Sequence, residues 1–140
     1  MYICDLHTHS TFSDGTFTPS QIVTEALRTN LRSVALTDHN TVAGLLEFLE
    51  AARGTSLEAI PGVEISTGYL GKEVHIVGLF LEQEKYGPLE VFLGVINRRK
   101  EESNRALVAA LYTAGYELSY AEIRERHQGN VNRAVIAAEL

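Results

Sequence analysis

Apolar positions in the first eighty residues alternate between short unbroken runs and stripes spaced three and four apart. The runs predict strands and the stripes predict helices. Tyr2 to Leu6 reads as a short buried strand. Thr18-Pro19 then supplies an N-cap with proline at the first helical position, and Ile22, Val23, Ala26 and Leu27 form the apolar stripe of a helix ending near Asn30. A second strand follows at Arg32 to Thr37 through Val34-Ala35-Leu36. Thr41 suits the N-cap of a helix striped by Leu45, Leu46, Phe48 and Leu49 and closed near Gly54. Leu57 to Ile65 predicts a third strand, and Val74 to Leu81 a fourth, apolar on both faces. Strand, helix, strand, helix, strand is the pattern of right-handed parallel units, so the fold class is α/β.

The character changes after Gly87-Pro88. Leu89 to Thr113 predicts one long helix with a charged centre at Arg98 to Glu102, and Gly115 lies beyond its end. Ser119 to His127 and Asn132 to Leu140 predict two shorter helices. The division expected is therefore an α/β part over residues 1–87 and a helical part over residues 88–140.

Composition narrows the function classes. A chain of 140 residues, 45% hydrophobic, can bury one core, and a net charge of −6 argues against a broad nucleic-acid-binding surface. Cys4 has no second cysteine to pair with, and its place in the first strand predicts a buried, inert thiol. No basic and apolar leader precedes the first strand, and no apolar run approaches the roughly 18 residues of a membrane span. A cytoplasmic location is the simplest expectation.

Four of the five histidines, His7, His9, His39 and His75, fall at or near predicted strand ends, each with a carboxylate within a few positions. Alternate strand residues share a face, so His7 and His9 point together, with Asp5 if the strand is regular. Two imidazoles at that spacing can chelate one ion. Asp14-Gly15 suits a turn as well as a ligand. In Asp38-His39-Asn40, His39 is a candidate ligand. Asp38 could orient an imidazole from behind, although Asp38 and Asn40 would also suit a helix cap. Glu64 can bridge two ions or be a solvated loop residue. His75, inside Val74-His75-Ile76-Val77, is a ligand or a core histidine. His127, beside Arg124, Glu125 and Arg126, reads as a surface residue. Clustering at strand ends favours a metal-dependent hydrolase, because β/α architectures build their sites there. Mn²⁺, Fe²⁺ and Zn²⁺ all suit mixed imidazole and carboxylate donors.

Asp5-Leu6-His7-Thr8-His9-Ser10, Ser13-Asp14-Gly15, Thr37-Asp38-His39-Asn40-Thr41, Pro61-Gly62-Val63-Glu64-Ile65 and the strand His75 resemble the PHP superfamily, named for polymerase and histidinol phosphatase. The resemblance runs in family order over about the first eighty residues. It implies a distorted (β/α)₇ barrel holding two or three divalent ions and hydrolysing phosphoesters. Carried over by motif, His7, His9 and Glu64 would hold one ion, Asp14 and His39 a second, and Glu64 and His75 a third, with Glu64 bridging. The catalytic set implied is His7, His9, Asp14, His39 and Glu64.

The segment from Pro88 resembles the start of a helical insertion found in one branch, whose members are 3′,5′-nucleoside bisphosphate phosphatases or 5′–3′ exoribonucleases. A small nucleotide or short RNA is then the expected substrate, and Arg99 and Arg133 are candidate clamps for its phosphate, although arginines on exposed helix faces also suit plain solvation. Asn132-Arg133-Ala134-Val135 stands where that branch has a Gly-Arg-Pro-His-like stretch, and only Arg133 matches. The later family motifs, a histidine and an Asp-x-His pair, do not occur up to Leu140. Since a barrel of this kind needs roughly 250 residues, the 140 read as its N-terminal half. Other readings are a histidinol-phosphatase-like enzyme, a polymerase-associated exonuclease, and a non-catalytic metal-binding scaffold.

Overall fold

The computed structural model describes residues 3–127 and 131–140. Four strands form a single sheet in the order β1-β2-β3-β4, with β1 at Cys4–Thr8, β2 at Ser33–Leu36, β3 at Glu58–Tyr69 and β4 at Lys72–Leu79. The first three are parallel, and helices α1 (Pro19–Arg28) and α2 (Leu45–Ala52) form the crossovers. The result is a mixed α/β fold whose curled sheet corresponds to half of a barrel.

Local chemistry accounts for most element boundaries. Thr18 and Gln21 form a reciprocal capping box at the start of α1, with Pro19 at the first helical position. The stripe Ile22, Val23 and Ala26 packs with Val34, Leu36, Leu45, Phe48, Val63 and Leu93 in one core. Leu27 and Leu46, expected in those stripes, are 36% and 56% exposed, so each helix buries a narrower face. The second helix begins after Gly44 rather than at Thr41, whose Oγ1 instead accepts from the Ala43 N–H and closes a tight turn.

The edges differ from expectation. The strand expected from Tyr2 is seen from Cys4, and Tyr2 itself lies outside the described residues. Cys4 and Leu6 are exposed, not buried, because β1 pairs with β2 alone and its other edge is open among the described residues. The third strand continues past Ile65 to Tyr69 and turns through Leu70-Gly71 into an antiparallel fourth strand, pairing Tyr69 with Lys72. Both turn residues have positive φ, 50° and 76°, as a two-residue hairpin matched to strand twist requires. As the other edge, β4 exposes Val74 and Ile76 instead of burying both faces.

The long helix α3 starts at Tyr86, three residues before the expected Leu89, and ends at Thr113. It is followed by α4 (Tyr120–Arg126) and α5 (Arg133–Ala138), and Val108, Tyr120, Ile123, Val131 and Ile136 form a second, smaller core. A polar stripe at helical spacing fastens α3 to the loop after β2, to β3 and to the segment before α5. Glu90 accepts from the Val42 N–H, Asn97 donates to the Asn40 carbonyl, Lys100 donates to Ser66 and Asn104 donates to the Val131 carbonyl. Among the described residues no helix is long and apolar enough to cross a membrane.

Candidate metal centre

The site begins with backbone pairing. Beyond β2 the chain stays beside β3: the Asn40 N–H donates to the Glu64 carbonyl at 2.9 Å and the Glu64 N–H to the Asp38 carbonyl at 3.2 Å. His39 and Glu64 are thereby side by side in an isolated parallel bridge. Asn40 adopts φ 51°, a left-handed conformation that asparagine tolerates, and both ends of its amide engage Ser66. Gly15 is needed for close approach, since a Cβ there would lie 2.0 Å from the His9 carbonyl oxygen. That contact packs the Asp14 loop against the end of β1.

Glu64 lies in mid-strand and is 5% exposed. Its Oε2 is 2.9 Å from His7 Nε2, 3.1 Å from His9 Nε2 and 3.4 Å from His39 Nδ1, and its Oε1 is 2.8 Å from His75 Nδ1. Asp14 faces the other side of the group, with Oδ1 3.5 Å from His9 Nδ1 and Oδ2 3.5 Å from His39 Nε2. The four imidazoles form a contiguous row, with ring centroids 5.0, 4.5 and 5.0 Å apart from His7 through His9 and His39 to His75.

Three overlapping sets of donor atoms converge within 4.8 Å: His7, His9 and Glu64; His9, Asp14 and His39; His39, Glu64 and His75. The donor set fits divalent metal ions. Imidazole nitrogens around two carboxylates, one of them shared by two sets, are borderline and hard donors in the combination that Mn²⁺, Fe²⁺ or Zn²⁺ accepts.

The electrostatics follow from this crowding. Burial, and then the charge of His39, lowers the His9 pKa. Burial also pulls His39 down, but its hydrogen bond and charge contact with Asp14 outweigh that and the net shift is upward. The same contact with His39 holds the Asp14 carboxyl well below the usual carboxylate range. Burial pushes Glu64 up, yet the surrounding imidazoles prevail and the net shift is downward.

The remaining candidates sit around this group. The expected alternation along β1 is broken by a register shift between Asp5 and Thr8. Asp5, expected behind the ligands and not among them, accepts with Oδ1 from the His7 backbone N–H. Asp38 accepts from the Ser10 N–H at 2.7 Å and from the Ser10 and Ser13 hydroxyls at 2.6 Å each, so it fixes the loop that carries Asp14 rather than an imidazole. His127 lies apart, near Glu139. A cavity of about 240 Å³ opens beside the cluster, and Arg133, Lys100 and Ser103 line it. Arg99 lines the adjoining groove of about 480 Å³ with Lys72 and Lys100.

Sequence reasoning missed Asn132, Glu73 and Lys100. Asn132 Nδ2 donates to Asp14 Oδ2 at 2.7 Å. Glu73 Oε1 is 3.2 Å from His75 Nε2 and 3.0 Å from Lys100 Nζ, and these partners, Lys100 first, hold its carboxyl at about 2. Glu73 had a signal, standing two residues before His75 on the same side of a strand. Asn132 had none, since it meets Asp14 across 118 positions of sequence.

A family model described as PHP domain matches residues 5–137. The chain is 35% identical over 136 residues to a 5′-3′ exoribonuclease of Haemophilus influenzae, covering 97% of this chain and 49% of that protein. It is 36% identical over 111 residues to a 3′,5′-nucleoside bisphosphate phosphatase of Chromobacterium violaceum, covering 79% and 39%. Among solved structures, an amidohydrolase from Chromobacterium violaceum, with bound sulfate and no metal, superposes with a TM-score of 0.88 at 31% identity, covering 98% of this chain and 49% of that one. A structure from Bifidobacterium adolescentis shares the fold, with a TM-score of 0.83 at 24% identity and the same coverage. The chain thus spans about half the length of the relatives it matches over nearly its whole extent.

Proposed function

Because the chain belongs to the PHP domain family, we propose that it forms the metal-binding half of a phosphoesterase that hydrolyses a nucleotide or a short RNA. The observation that carries this reading is the sharing of Glu64 between two of the three donor sets. His7, His9 and Glu64 would hold one ion, Asp14 and His39 with His9 a second, and Glu64, His39 and His75 a third. Divalent ions supply Lewis-acid polarisation of a phosphoryl oxygen, acidification of a water and charge at the leaving oxygen.

The chain's own residues bind and orient. Asp38, with Ser10 and Ser13, holds the Asp14 loop in place. Arg133 at the cavity wall would meet the phosphate, and Arg99 in the adjoining groove would meet a more distant anionic group. The helical segment from residue 88 acts as an insertion that walls the site. The names of the relatives, a 5′-3′ exoribonuclease and a 3′,5′-nucleoside bisphosphate phosphatase, support this substrate class.

Glu64→Gln tests the reading, because an amide keeps the shape but loses the charge that holds two ions together. In the complete phosphoesterase the variant should lose more than about tenfold in kcat/KM, or over ~1.4 kcal/mol of transition-state stabilisation. Elemental analysis of the unchelated wild-type protein should find more than one transition-metal equivalent. Activity that survives exhaustive chelation, or a Glu64→Gln enzyme within tenfold of wild type, would overturn it.

A further inference from the structure

The outer nitrogen of His75 meets a carboxylate, Glu73, that belongs to none of the three donor sets. His75 stands on the edge strand β4 with its side chain 34% exposed, so packing alone does not fix its ring. A neutral imidazole carries one N–H, and a nitrogen that is to meet a cation must present its lone pair. The nitrogen facing the cluster is Nδ1, 2.8 Å from Glu64 Oε1. The nitrogen facing away is Nε2, and 3.2 Å from it lies Glu73 Oε1.

Glu73 is itself held. Its Oε1 is 3.0 Å from Lys100 Nζ, and Arg133 approaches its Oε2 at 3.8 Å. Lys100 is anchored in turn by a 2.7 Å hydrogen bond to Ser66 Oγ. Ser66 is the residue that pairs with His75 across the two strands, and the Asn40 amide clamps it from the other side. A continuous polar path therefore runs from the loop after β2, through Ser66 and Lys100 on α3, to the outer nitrogen of His75.

We propose that Glu73 is the positioning residue for His75. It accepts the Nε2 proton, which leaves Nδ1, now in contact with Glu64, as the nitrogen that would give its lone pair to a cation, and it is kept in place by Lys100. A carboxylate behind a ligating histidine fixes both the tautomer and the ring orientation. The inference rests on the metal-site reading for its purpose, but the hydrogen bond it assigns can be tested without any metal.

The test is long-range ¹H–¹⁵N correlation on the intact, chelated protein labelled with ¹⁵N-histidine, at about pH 8, above the ordinary imidazole pKa. Wild-type His75 should show a protonated Nε2 whose signal is shifted downfield by the Glu73 carboxylate, whatever proton Nδ1 shares with Glu64 in the absence of metal. Glu73→Ala should lose that signal, and its affinity for Mn²⁺ by titration calorimetry should fall about 10- to 100-fold. Glu73→Gln keeps an acceptor oxygen, so it should retain the tautomer and most of the affinity. A merely structural role would not separate the two variants in this way. A bare Nε2 in the wild type, or an unchanged Nε2 proton signal in Glu73→Ala, overturns the proposal. If the wild-type protein takes up no Mn²⁺, the metal reading fails and the Nε2 comparison alone decides: loss of the downfield Nε2 proton signal in Glu73→Ala supports the pairing and its persistence refutes it.

Discussion

Asp38 shows how a residue can matter to a site without joining it. Its carboxylate is 2% exposed and receives three short hydrogen bonds from Ser10 and Ser13. Asp38→Ala should cost about 3 kcal/mol in a denaturant titration, because it strands a backbone N–H and two hydroxyls away from water. The residues that converge, His7, His9, Asp14, His39, Glu64 and His75, were all legible as a group, because their types and their strand-end spacing suit one chemistry. The role expected of Asp38 was less so. A carboxylate next to His39 suggests an imidazole partner, whereas its real partners lie on a loop 25 and 28 positions away. Asp5 illustrates a different limit, since the alternation that would group it with His7 assumes a regular strand and the register of β1 shifts between Asp5 and Thr8.

Among the elements, the two crossover helices and the parallel strands were readable from apolar spacing and from Thr18-Pro19. The hairpin was not. Leu70-Gly71 carries half of a turn signal, and leucine at φ 50° is a position that its Cβ disfavours. Leu70→Asn should therefore raise stability by about 1 kcal/mol, seen as a higher melting temperature. Leu70 is 84% exposed, so no burial is lost in the exchange. The polar stripe of α3 was hidden for the opposite reason. Glu90, Asn97, Lys100 and Asn104 share a helical spacing, but polar residues on a helix ordinarily face water, and only the fold reveals that these face backbone and hydroxyl groups.

For the whole molecule, the edges of the sheet and the charge of the cluster set the behaviour. Among the described residues β1 and β4 each have one unpaired edge, and Ile3, Leu6, Val74 and Ile76 are exposed along them. A polypeptide of these 140 residues by itself should self-associate and show little turnover, which light scattering and a phosphatase assay would register. Open edges also explain why burial of the first and fourth strands was misjudged, since an apolar run reports the tendency to be covered and not the cover itself. The contact of Asp14 with His39 sets the pH response of the metal-free protein. The carboxyl is lowered from 3.8, so its contribution is present above that value and is lost as pH falls through the folded pKa. The imidazole is raised from 6.5, so its contribution is full below that value and declines as pH rises through the folded pKa. The melting temperature without metal should therefore be highest between these limits and fall on the alkaline side. Added Mn²⁺ should reverse that alkaline trend, because its ligands must be deprotonated. The row of imidazoles has one more consequence, for damage rather than for binding. Neighbouring rings 4.5 to 5.0 Å apart present a single target to radicals generated at a redox-active occupant. Exposure to Fe²⁺ and peroxide should therefore leave an oxidative scar that mass spectrometry maps to His7, His9, His39 and His75 while sparing His127.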